Sequence, residues 1–465
     1  MGDAASIVLP PTCAPSEPPI DSPFYRAIDW QTFALTTPLI LLVYWLTLIP
    51  DIPLDSAGEW VTAAMWLGVP NPPGYPIWTF LTWLFIHLVP ISTIAWRVAL
   101  ASATEAALAC GLCGLMASRF TCFIIDGIEG MEKIGRSAQN AICSVAGLIA
   151  ALSLAFNTTL WKHAVVPSIY PLPVLFLVVT LTLLFRWMYS PERRRFIYWT
   201  SFLFGLCVVN HQTLIVAAMG LEIAVIAANY ELGRDLLAVN VFCWIAGLCI
   251  YDQLFLFMFD ISSPMVFLLF NCIGAFSIAG MAVLIFKTKR FLTEWKSIVV
   301  ICACWLIGSG FYFIVPLASM TNPPMNWGYA RTVEGFYHTI SRGQYDRINP
   351  ADFVHSPVVV LGQIAAYFAV AARQFGLEYI PFAVMPFLFF FKMKNRERRW
   401  MIALTAVFLC LGVLINILLN PASRERTMVE LVRIFYLPSF VPISIWIGCG
   451  VGLSIAWFTT KFSRT

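Results

Sequence analysis

Residues 264–286 read PMVFLLFNCIGAFSIAGMAVLIF, 23 consecutive positions without one acidic or basic side chain. A helix rises about 1.5 Å per residue, so a run of this length crosses the ~30 Å hydrocarbon layer of a bilayer. Similar runs recur along the whole chain. Because only helices and closed barrels satisfy their backbone groups in lipid, continuous apolar runs predict membrane-spanning helices. The expected fold class is all-α, with the architecture of a polytopic membrane protein.

The apolar pattern predicts twelve spans. They are expected at residues 33–50, 94–116, 140–158, 168–187, 196–209, 213–230, 237–257, 264–286, 297–317, 376–393, 400–419 and 435–458. The fifth and sixth are short, and the polar sequence Asn210-His211-Gln212-Thr213 separates them. A polar break at membrane depth is tolerated only where it lines a cavity or packs against protein.

The composition excludes a soluble enzyme and a nucleic-acid-binding protein. Sixty per cent of the residues are hydrophobic and 12% are charged, against about 25% charged residues in soluble domains. The basic residues form short clusters between the apolar runs, without the exposed aromatic residues of a nucleic-acid site. Most of the 13 cysteines lie within apolar runs, so no disulfide framework is predicted.

Residues 1–32 are predicted to form a cytoplasmic N-terminal tail, and residues 33–465 a transmembrane domain. The tail lacks the basic start of a signal peptide, so the first span is expected to stay as an anchor. With the N-terminus inside, the inner segments hold about 20 basic residues and the outer segments about nine, as the positive-inside rule requires. Both termini are therefore expected in the cytoplasm, at a bacterial inner membrane or the ER membrane.

Two long segments are expected on the external side. The first loop, residues 51–93, contains the apolar stretch 76–90, which predicts a helix lying in the membrane interface. The second large loop, residues 318–375, contains another candidate interfacial helix at 356–372. No internal repeat accompanies them.

Two carboxylates follow the first span, in the sequence Asp55-Ser56-Ala57-Gly58-Glu59. Ser56 and Glu59 have the spacing of a capping box, in which the acid binds a free backbone donor at the start of a helix. That interpretation explains Glu59 locally but leaves Asp55 unexplained. Transfer of a sugar to a hydroxyl needs a general base beside the nucleophile, and Asp55 at a membrane-facing cleft could supply it. A solvated loop carboxylate is the alternative for Asp55.

Residues 55–76, which end in Pro72-Pro73-Gly74-Tyr75-Pro76, resemble a family of polytopic membrane proteins. Its marks are an Asp-Ser-Gly-Glu motif and a His-Pro-Pro-Gly-Tyr-Pro motif, and it includes a transmembrane protein O-mannosyltransferase. The family belongs with the GT-C glycosyltransferases, which share a first external loop with a catalytic Asp and interfacial helices. Further segments are similar to its landmarks in order, at Ala95-Trp96-Arg97-Val98, Asn157 to Tyr170, Asn210 to Thr213, Asn326-Trp327-Gly328, Gln344-Tyr345, Arg373-Gln374-Phe375 and Arg433 to Tyr436.

The chain departs from the family pattern at three positions. Ala57 interrupts the Asp-Ser-Gly-Glu motif, Asn71 replaces the His before the prolines, and Ser168 stands where the family commonly has an acid. These departures bear on activity rather than on fold.

Carried over to this sequence, the resemblance implies that Asp55 is the general base and that Glu59 is an accessory residue. Pro72, Pro73 and Gly74 would shape the turn that returns the loop to the membrane, and Tyr75 would contact substrate.

A lipid-phosphate carrier needs cations at its phosphate. The candidates on the expected external side are His211, Arg97, Lys162, His163, Arg331 and Arg373. Snorkelling of the side chain near a helix end is the alternative for each of them, above all for Arg97 and Lys162. An ordinary interfacial histidine is a further alternative for His163. An ionisable group in a polar membrane break, such as His211, is a functional candidate by default. No metal site is predicted, because the five histidines are scattered, and no cofactor is expected.

These features predict an inverting glycosyltransferase. The resemblance implies a polyprenyl- or dolichyl-phosphate-linked sugar, mannose, as donor and a hydroxyl acceptor, Ser or Thr of a protein, with membrane lipid as surroundings. A transporter or flippase is the alternative, because polar breaks and intramembrane ionisable groups also mark transporters. An inactive relative that binds lipid-linked sugar is a third.

Overall fold

A computed structural model describes residues 23–54, 56–250, 259–260, 263–421 and 432–462 of the 465-residue chain. The described residues form helices joined by short turns, and their only β-type pairings are the isolated bridges Val69–Asn326 and Phe259–Ile348. The predicted all-α membrane architecture is therefore confirmed. Every cysteine in these ranges is a free thiol.

The α-helices follow one another along the chain with few long connections. They are α1 Ala27–Leu46, α2 Ala57–Trp66, α3 Pro76–Leu88, α4 Ile94–Gly127, α5 Arg136–Ala155, α6 Thr158–Ala164, α7 Pro171–Met188, α8 Arg195–Asn210, α9 Ala217–Ala228, α10 Tyr230–Cys249, α11 Pro264–Thr288, α12 Trp295–Ser309, α13 Ile314–Met320, α14 Val333–Ile340, α15 Pro357–Phe375, α16 Ile380–Leu388, α17 Asn395–Phe408, α18 Ile415–Leu419 and α19 Phe440–Phe462.

Ten helices of the described part are long and apolar enough to cross a membrane. Nine of them coincide with predicted spans, whereas the predicted spans 196–209, 213–230 and 376–393 appear as shorter helices. The first helix begins at Ala27, so it takes in the last residues of the predicted tail. Residues 1–22 of that tail lie outside the described ranges.

The ends of α1 and α5 lie together. The Tyr44 hydroxyl donates to the Ala155 carbonyl at 2.7 Å, and the Ile49 N–H donates to the Val165 carbonyl at 3.0 Å. We call this side of the bundle the loop end, because residues 47–56 follow α1 there. The predicted first loop, with α2 and α3, belongs to it.

The one long helix that matches no predicted span is α15. It lies across the loop end instead of spanning the bundle. Gln363 in its first half donates to the side-chain oxygen of Asn420, just after α18, at 2.9 Å. Gln374 in its last turn accepts the Thr159 N–H at 3.1 Å, beside the end of α5. Both contacts are at the loop end, and the location of the helix predicted at 356–372 in the membrane interface stays a prediction.

The core of the bundle forms around α4, whose 34 residues extend for about 50 Å. Of its most apolar stretch, 83% is buried, compared with 17% for α11, so α11 lies at the periphery. Small residues allow α4 and α5 to approach closely, as in other membrane bundles. A Cβ on Gly114 would lie 2.7 Å from the Gly147 carbonyl oxygen.

Two ion pairs, one fully buried and one partly exposed, lie at the opposite end of the bundle. Arg234 and Asp235 at the start of α10 are fully buried and lie 2.6 Å apart. Arg234 also donates to the Arg290 carbonyl at 2.8 Å, which fixes the turn between α11 and α12. Arg194 pairs with Glu294 at 3.0 Å and joins that turn to the start of α8.

Candidate active site at the loop end

The turn between α2 and α3 brings the first loop back to the bundle. The Gly74 N–H donates to the Asn71 carbonyl at 3.0 Å, so a tight turn forms where the sequence predicts one. Gly74 has a φ of +96°, and a Cβ there would lie 3.2 Å from Val315. Glycine is therefore favoured by conformation and by the close approach to Val315 in α13. Tyr75 follows in the left-handed region and precedes Pro76, the first residue of α3.

Glu59 joins the first loop to the second. Its carboxylate accepts the Asn71 N–H and a hydrogen bond from the Trp327 side chain. Burial raises the pKa of Glu59, and these hydrogen bonds partly offset that effect. The Ser56 side chain makes no cap hydrogen bond, so the interpretation of Ser56 and Glu59 as a capping box is wrong. The Glu59 carboxylate instead binds Asn71, twelve residues further along the chain, and Trp327 in the second large loop.

Asp55, the predicted general base, lies outside the described residues. Leu54 and Ser56 on either side of it are exposed, and α2 begins one residue later, at Ala57. Its catalytic role stays a prediction.

Three sequence segments that match the family motifs converge on Trp78 in α3. Its backbone N–H donates to the Asn210 side-chain oxygen at 3.1 Å, and its indole N–H donates to the Ser168 carbonyl at 3.1 Å. Trp78, Ser168 and Asn210 are all buried. The first loop, the segment before α7 and the polar break after α8 therefore form one site.

Two predicted histidines lie around Tyr170 in this site. The His163 and Tyr170 rings meet edge to face with centroids 4.8 Å apart, and the Tyr170 ring lies 6.0 Å from that of His211. His163 contacts the Ser168 hydroxyl at 3.2 Å, and His211 contacts the Thr213 hydroxyl at 2.6 Å. Both rings therefore have a hydroxyl partner.

Burial keeps these histidines neutral. It lowers the pKa of His163 to about 4, and the charge of Lys162 acts in the same direction. It lowers the pKa of His211, which lies in the break between α8 and the following 3-10 turn, to about 3, and Arg342 adds to that shift. As neutral rings, they can donate or accept a hydrogen bond, but neither supplies a positive charge to a phosphate at neutral pH.

Tyr170 and Arg342, neither of which was predicted as a site residue, complete the cluster. Burial raises the pKa of Tyr75 well above its usual value and also raises that of Tyr170, whereas the charge of Arg342 lowers both. Arg342 also lines a cavity of about 160 Å³ with Thr213 and Phe435. Phe435 lies 5.7 Å from the His211 ring, so this cavity adjoins the cluster.

Several amide side chains of the motif segments keep an unpaired polar atom. They are Asn71 Oδ1, Asn157 Nδ2, Asn210 Nδ2 and Gln212 Oε1, each buried without a hydrogen-bond partner among the described residues. Buried polar groups are nearly always paired in folded proteins. Similar unpaired atoms occur elsewhere in the bundle, but these four all lie in the motif segments, where water or a ligand can supply the missing partners.

The other predicted cations do not join this cluster. Arg97 donates to the carbonyls of Ile91, Ser92 and Ile86 at 2.8, 3.0 and 3.3 Å, so it ties the end of α3 to the start of α4. Arg331 binds the side chain of Asn322 beside its own turn.

Lys162 and Arg373 are exposed at the loop end. Lys162 lies beside His163, and Arg373 precedes Gln374, which binds the start of α6. Of the predicted side chains in the described residues, His163, His211 and Tyr75 are therefore brought together.

Arg342 was not predicted as a site residue, although it lies close to one of the family motifs. Gln344-Tyr345 is one of the family landmarks, and Arg342 lies two residues before it. No spacing rule connects that loop with residue 211, because the two are far apart in sequence. Within the described ranges, no group of three His, Cys, Asp or Glu side chains could hold a metal ion.

The helices and the polar cluster define a multi-pass α-helical membrane protein with its candidate site at one end of the bundle. Residues 56–233 match the model of the family described as the protein O-mannosyl-transferase TMEM260 N-terminal domain. The resemblance indicated by the motifs is therefore confirmed over this part of the chain, which is O-mannosyltransferase-like.

Individual relatives also match part of the chain. The chain is 28% identical over 202 residues to protein O-mannosyl-transferase TMEM260 of Mus musculus, across 42% of this chain and 26% of that protein. It is 27% identical over 167 residues to protein O-mannosyl-transferase tmem260 of Dictyostelium discoideum, across 34% of this chain and 18% of that protein. The chain thus spans about a quarter or less of the length of these relatives.

Solved structures of ArnT from Cupriavidus metallidurans are also similar. The structure bound to undecaprenyl phosphate is 12% identical, with a TM-score of 0.44, across 94% of this chain and 63% of that one. The apo structure is 11% identical, with a TM-score of 0.31, across 91% of this chain and 78% of that one.

Proposed function

We propose that this protein transfers a sugar, mannose, from a polyprenyl- or dolichyl-phosphate carrier to a Ser or Thr hydroxyl of a protein. The observation that carries the proposal is the convergence of residues 71–78, 157–170 and 210–213 into one buried polar cluster, because these are the segments that resemble the O-mannosyltransferase family. The names of the relatives favour mannose and a protein acceptor.

The position of the cluster suits a lipid-linked donor. It lies where α2 and α3 return to the bundle, and α15 contacts the start of α6 there. A prenyl phosphate holds its phosphate at headgroup depth. A sugar attached there would enter the cluster, while the acceptor approaches from the aqueous loops. We propose that this end faces the periplasm or the ER lumen, in agreement with the basic residues expected on the opposite side.

The proposed reaction is a single displacement. The acceptor hydroxyl oxygen attacks the anomeric carbon of the sugar, and the bond between that carbon and the phosphate oxygen breaks. Asp55 takes the hydroxyl proton, and the prenyl phosphate leaves with the bonding electron pair. General-base assistance of this kind contributes roughly 10²- to 10⁴-fold to a rate. Glu59 serves as an accessory that holds the first loop, since its carboxylate is occupied by Asn71 and Trp327.

The test uses the purified protein in lipid nanodiscs with mannosyl prenyl phosphate and an acceptor peptide. Wild type should form glycopeptide, whereas Asp55→Asn should lose at least about 100-fold in rate. The matched control is Asp51→Asn, because Asp51 is an exposed loop acid whose carboxylate binds only the neighbouring Ile52 N–H at 2.8 Å among the described residues. It should keep wild-type activity.

Three other results would point elsewhere. Equal transfer by wild type and Asp55→Asn would remove Asp55 from the reaction. Movement of the sugar lipid across liposomes without a glycosidic bond would favour the flippase. Binding of the sugar lipid with neither transfer nor transport would favour an inactive binder.

A further inference from the structure

The turn that carries Arg342 is docked on the polar break. Gln212 in the break donates to the Ile340 carbonyl, in the last turn of α14, at 2.7 Å. Two residues later Arg342 adopts a φ of +55°, and its carbonyl accepts the Tyr345 N–H at 2.9 Å. A non-glycine residue in the left-handed region is uncommon and tends to occur where a local conformation is imposed. The position of Arg342 beside His211 therefore follows from specific backbone contacts.

The guanidinium of Arg342 is available for a ligand. Among the described residues it has no carboxylate or carbonyl partner, and its contact is the Tyr345 ring, 4.7 Å from its central carbon. Its charge acts on His211, Tyr75 and Tyr170, which belong to three different segments of the cluster. An arginine that faces three segments without an acidic partner leaves a positive potential inside the cluster.

The cavity next to Arg342 has the size and lining for a phosphate. Its volume is about 160 Å³, and Thr213, Ser341, Asp346 and Arg347 contribute polar groups to its lining, with both Asp346 and Arg347 exposed. The two arginines outnumber the single acid, so the lining keeps a net positive charge. Phe435 contributes an apolar side. The mixed lining suits a phosphate group that is attached to a hydrocarbon chain.

We propose that Arg342 binds the phosphate of the prenyl-phosphate carrier, in an assignment that rests on the proposed function. Guanidinium groups bind phosphate through two parallel N–H donors. Among the predicted cations, Arg97 is occupied by carbonyl groups and Arg331 by Asn322, so Arg342 replaces them. It would hold the donor in the ground state and stabilise the charge of the leaving phosphate.

Binding of a short prenyl phosphate, citronellyl phosphate, and of its alcohol, citronellol, to the full chain in nanodiscs tests the assignment. Wild type should bind the phosphate more tightly than the alcohol. In Arg342→Gln, the ratio of the Kd for the alcohol to the Kd for the phosphate should fall about 10- to 100-fold, the range for a hydrogen bond to a charged group. Arg342→Lys should have a preference between those of wild type and Arg342→Gln, because lysine keeps the charge but lacks the two parallel N–H donors. Arg193→Gln, which removes an exposed arginine at the opposite end, should bind like wild type.

Inorganic phosphate should displace citronellyl phosphate from wild type only at much higher concentration, since it lacks the hydrocarbon chain. If Arg342→Gln retains the full preference for phosphate over alcohol while its melting temperature is unchanged, the assignment is overturned. If Arg342→Gln melts early, Arg342→Lys decides the outcome, and a wild-type preference together with a wild-type transfer rate for that folded variant overturns it.

The two proposals can fail separately. Arg342-dependent phosphate binding without any glycopeptide would refute the transferase and leave the phosphate site intact. Normal transfer and normal phosphate preference in Arg342→Gln would refute the phosphate site and leave the transferase intact. In an active enzyme, Arg342→Lys should raise KM for the donor and lower kcat, because Arg342 contacts both the bound and the leaving phosphate.

Discussion

Replacing Asn210 by Ala should loosen the start of α3 without unfolding the bundle. Tyr75, which precedes α3, provides no side-chain cap, so the free N–H groups of the first turn need other partners. Asn210, from the distant break after α8, supplies one of them by accepting the Trp78 N–H at 3.1 Å. Asn210→Ala removes this partner from a buried N–H, which costs about 1–3 kcal/mol.

That cost predicts a local change of measurable size. At about 1.4 kcal/mol for each factor of ten, the population in which the first turn of α3 is open rises roughly 5- to 150-fold. Hydrogen exchange followed by mass spectrometry should show this acceleration in peptides covering residues 76–80. Peptides at the end of α4, near Gly127, should exchange as in wild type.

A matched control separates this effect from the general loss of an amide. Asn271 in α11 is half-buried, and its side chain binds the Phe267 carbonyl of its own helix at 2.8 Å. Asn271→Ala should leave exchange at residues 76–80 unchanged. If Asn210→Ala also leaves it unchanged, the contact between the break and the first loop does not hold α3, and the convergence of the motif segments loses its physical basis.

Three further substitutions test other contacts. Glu59→Ala should lower the melting temperature and make the loop around Asn71 more sensitive to protease, whereas Glu59→Gln keeps an acceptor and should recover most of the loss. His163→Gln should flatten the fall in melting temperature between pH 6.5 and 4. The low pKa of His163 gives stability that is fully present above pH 6.5 and is lost as the pH falls toward about 4, because the folded state then resists protonation of the ring. His87→Gln, at an exposed position, should keep the wild-type slope. Asp235→Ala leaves its buried arginine partner uncompensated and should destabilise the protein by about 3–5 kcal/mol, measured as early thermal inactivation.

The membrane architecture could be predicted from sequence because a bilayer imposes one simple rule on each segment. The run 264–286 appears as α11, and the apolar stretch 76–90 appears as α3. The polar break was also predictable, since His211 interrupts two apolar runs, and α8 ends at the residue before it. Each of these features depends on residues that are close together in the sequence.

The partners within the site depend on residues from different loops, and no local pattern reveals them. The spacing of Ser56 and Glu59 fits a capping box, but the turn at Asn71 offers Glu59 a partner once α2 and α3 have packed. Arg97 has the position of a phosphate ligand in sequence, yet carbonyl groups of residues 86–92 surround it in the fold. Arg342 stands in a polar loop without a regular pattern, and contacts from distant segments, such as that of Gln212 with Ile340, hold its turn at the break.

The stereochemistry of the product tests the proposed displacement most directly. Mannosyl prenyl phosphate of known anomeric configuration is incubated with the purified protein and an acceptor peptide, and the new glycosidic bond is assigned by NMR. A single attack by the acceptor hydroxyl predicts inverted configuration and one prenyl phosphate released for each glycopeptide formed. Retained configuration, or release of prenyl phosphate without glycopeptide, would contradict it.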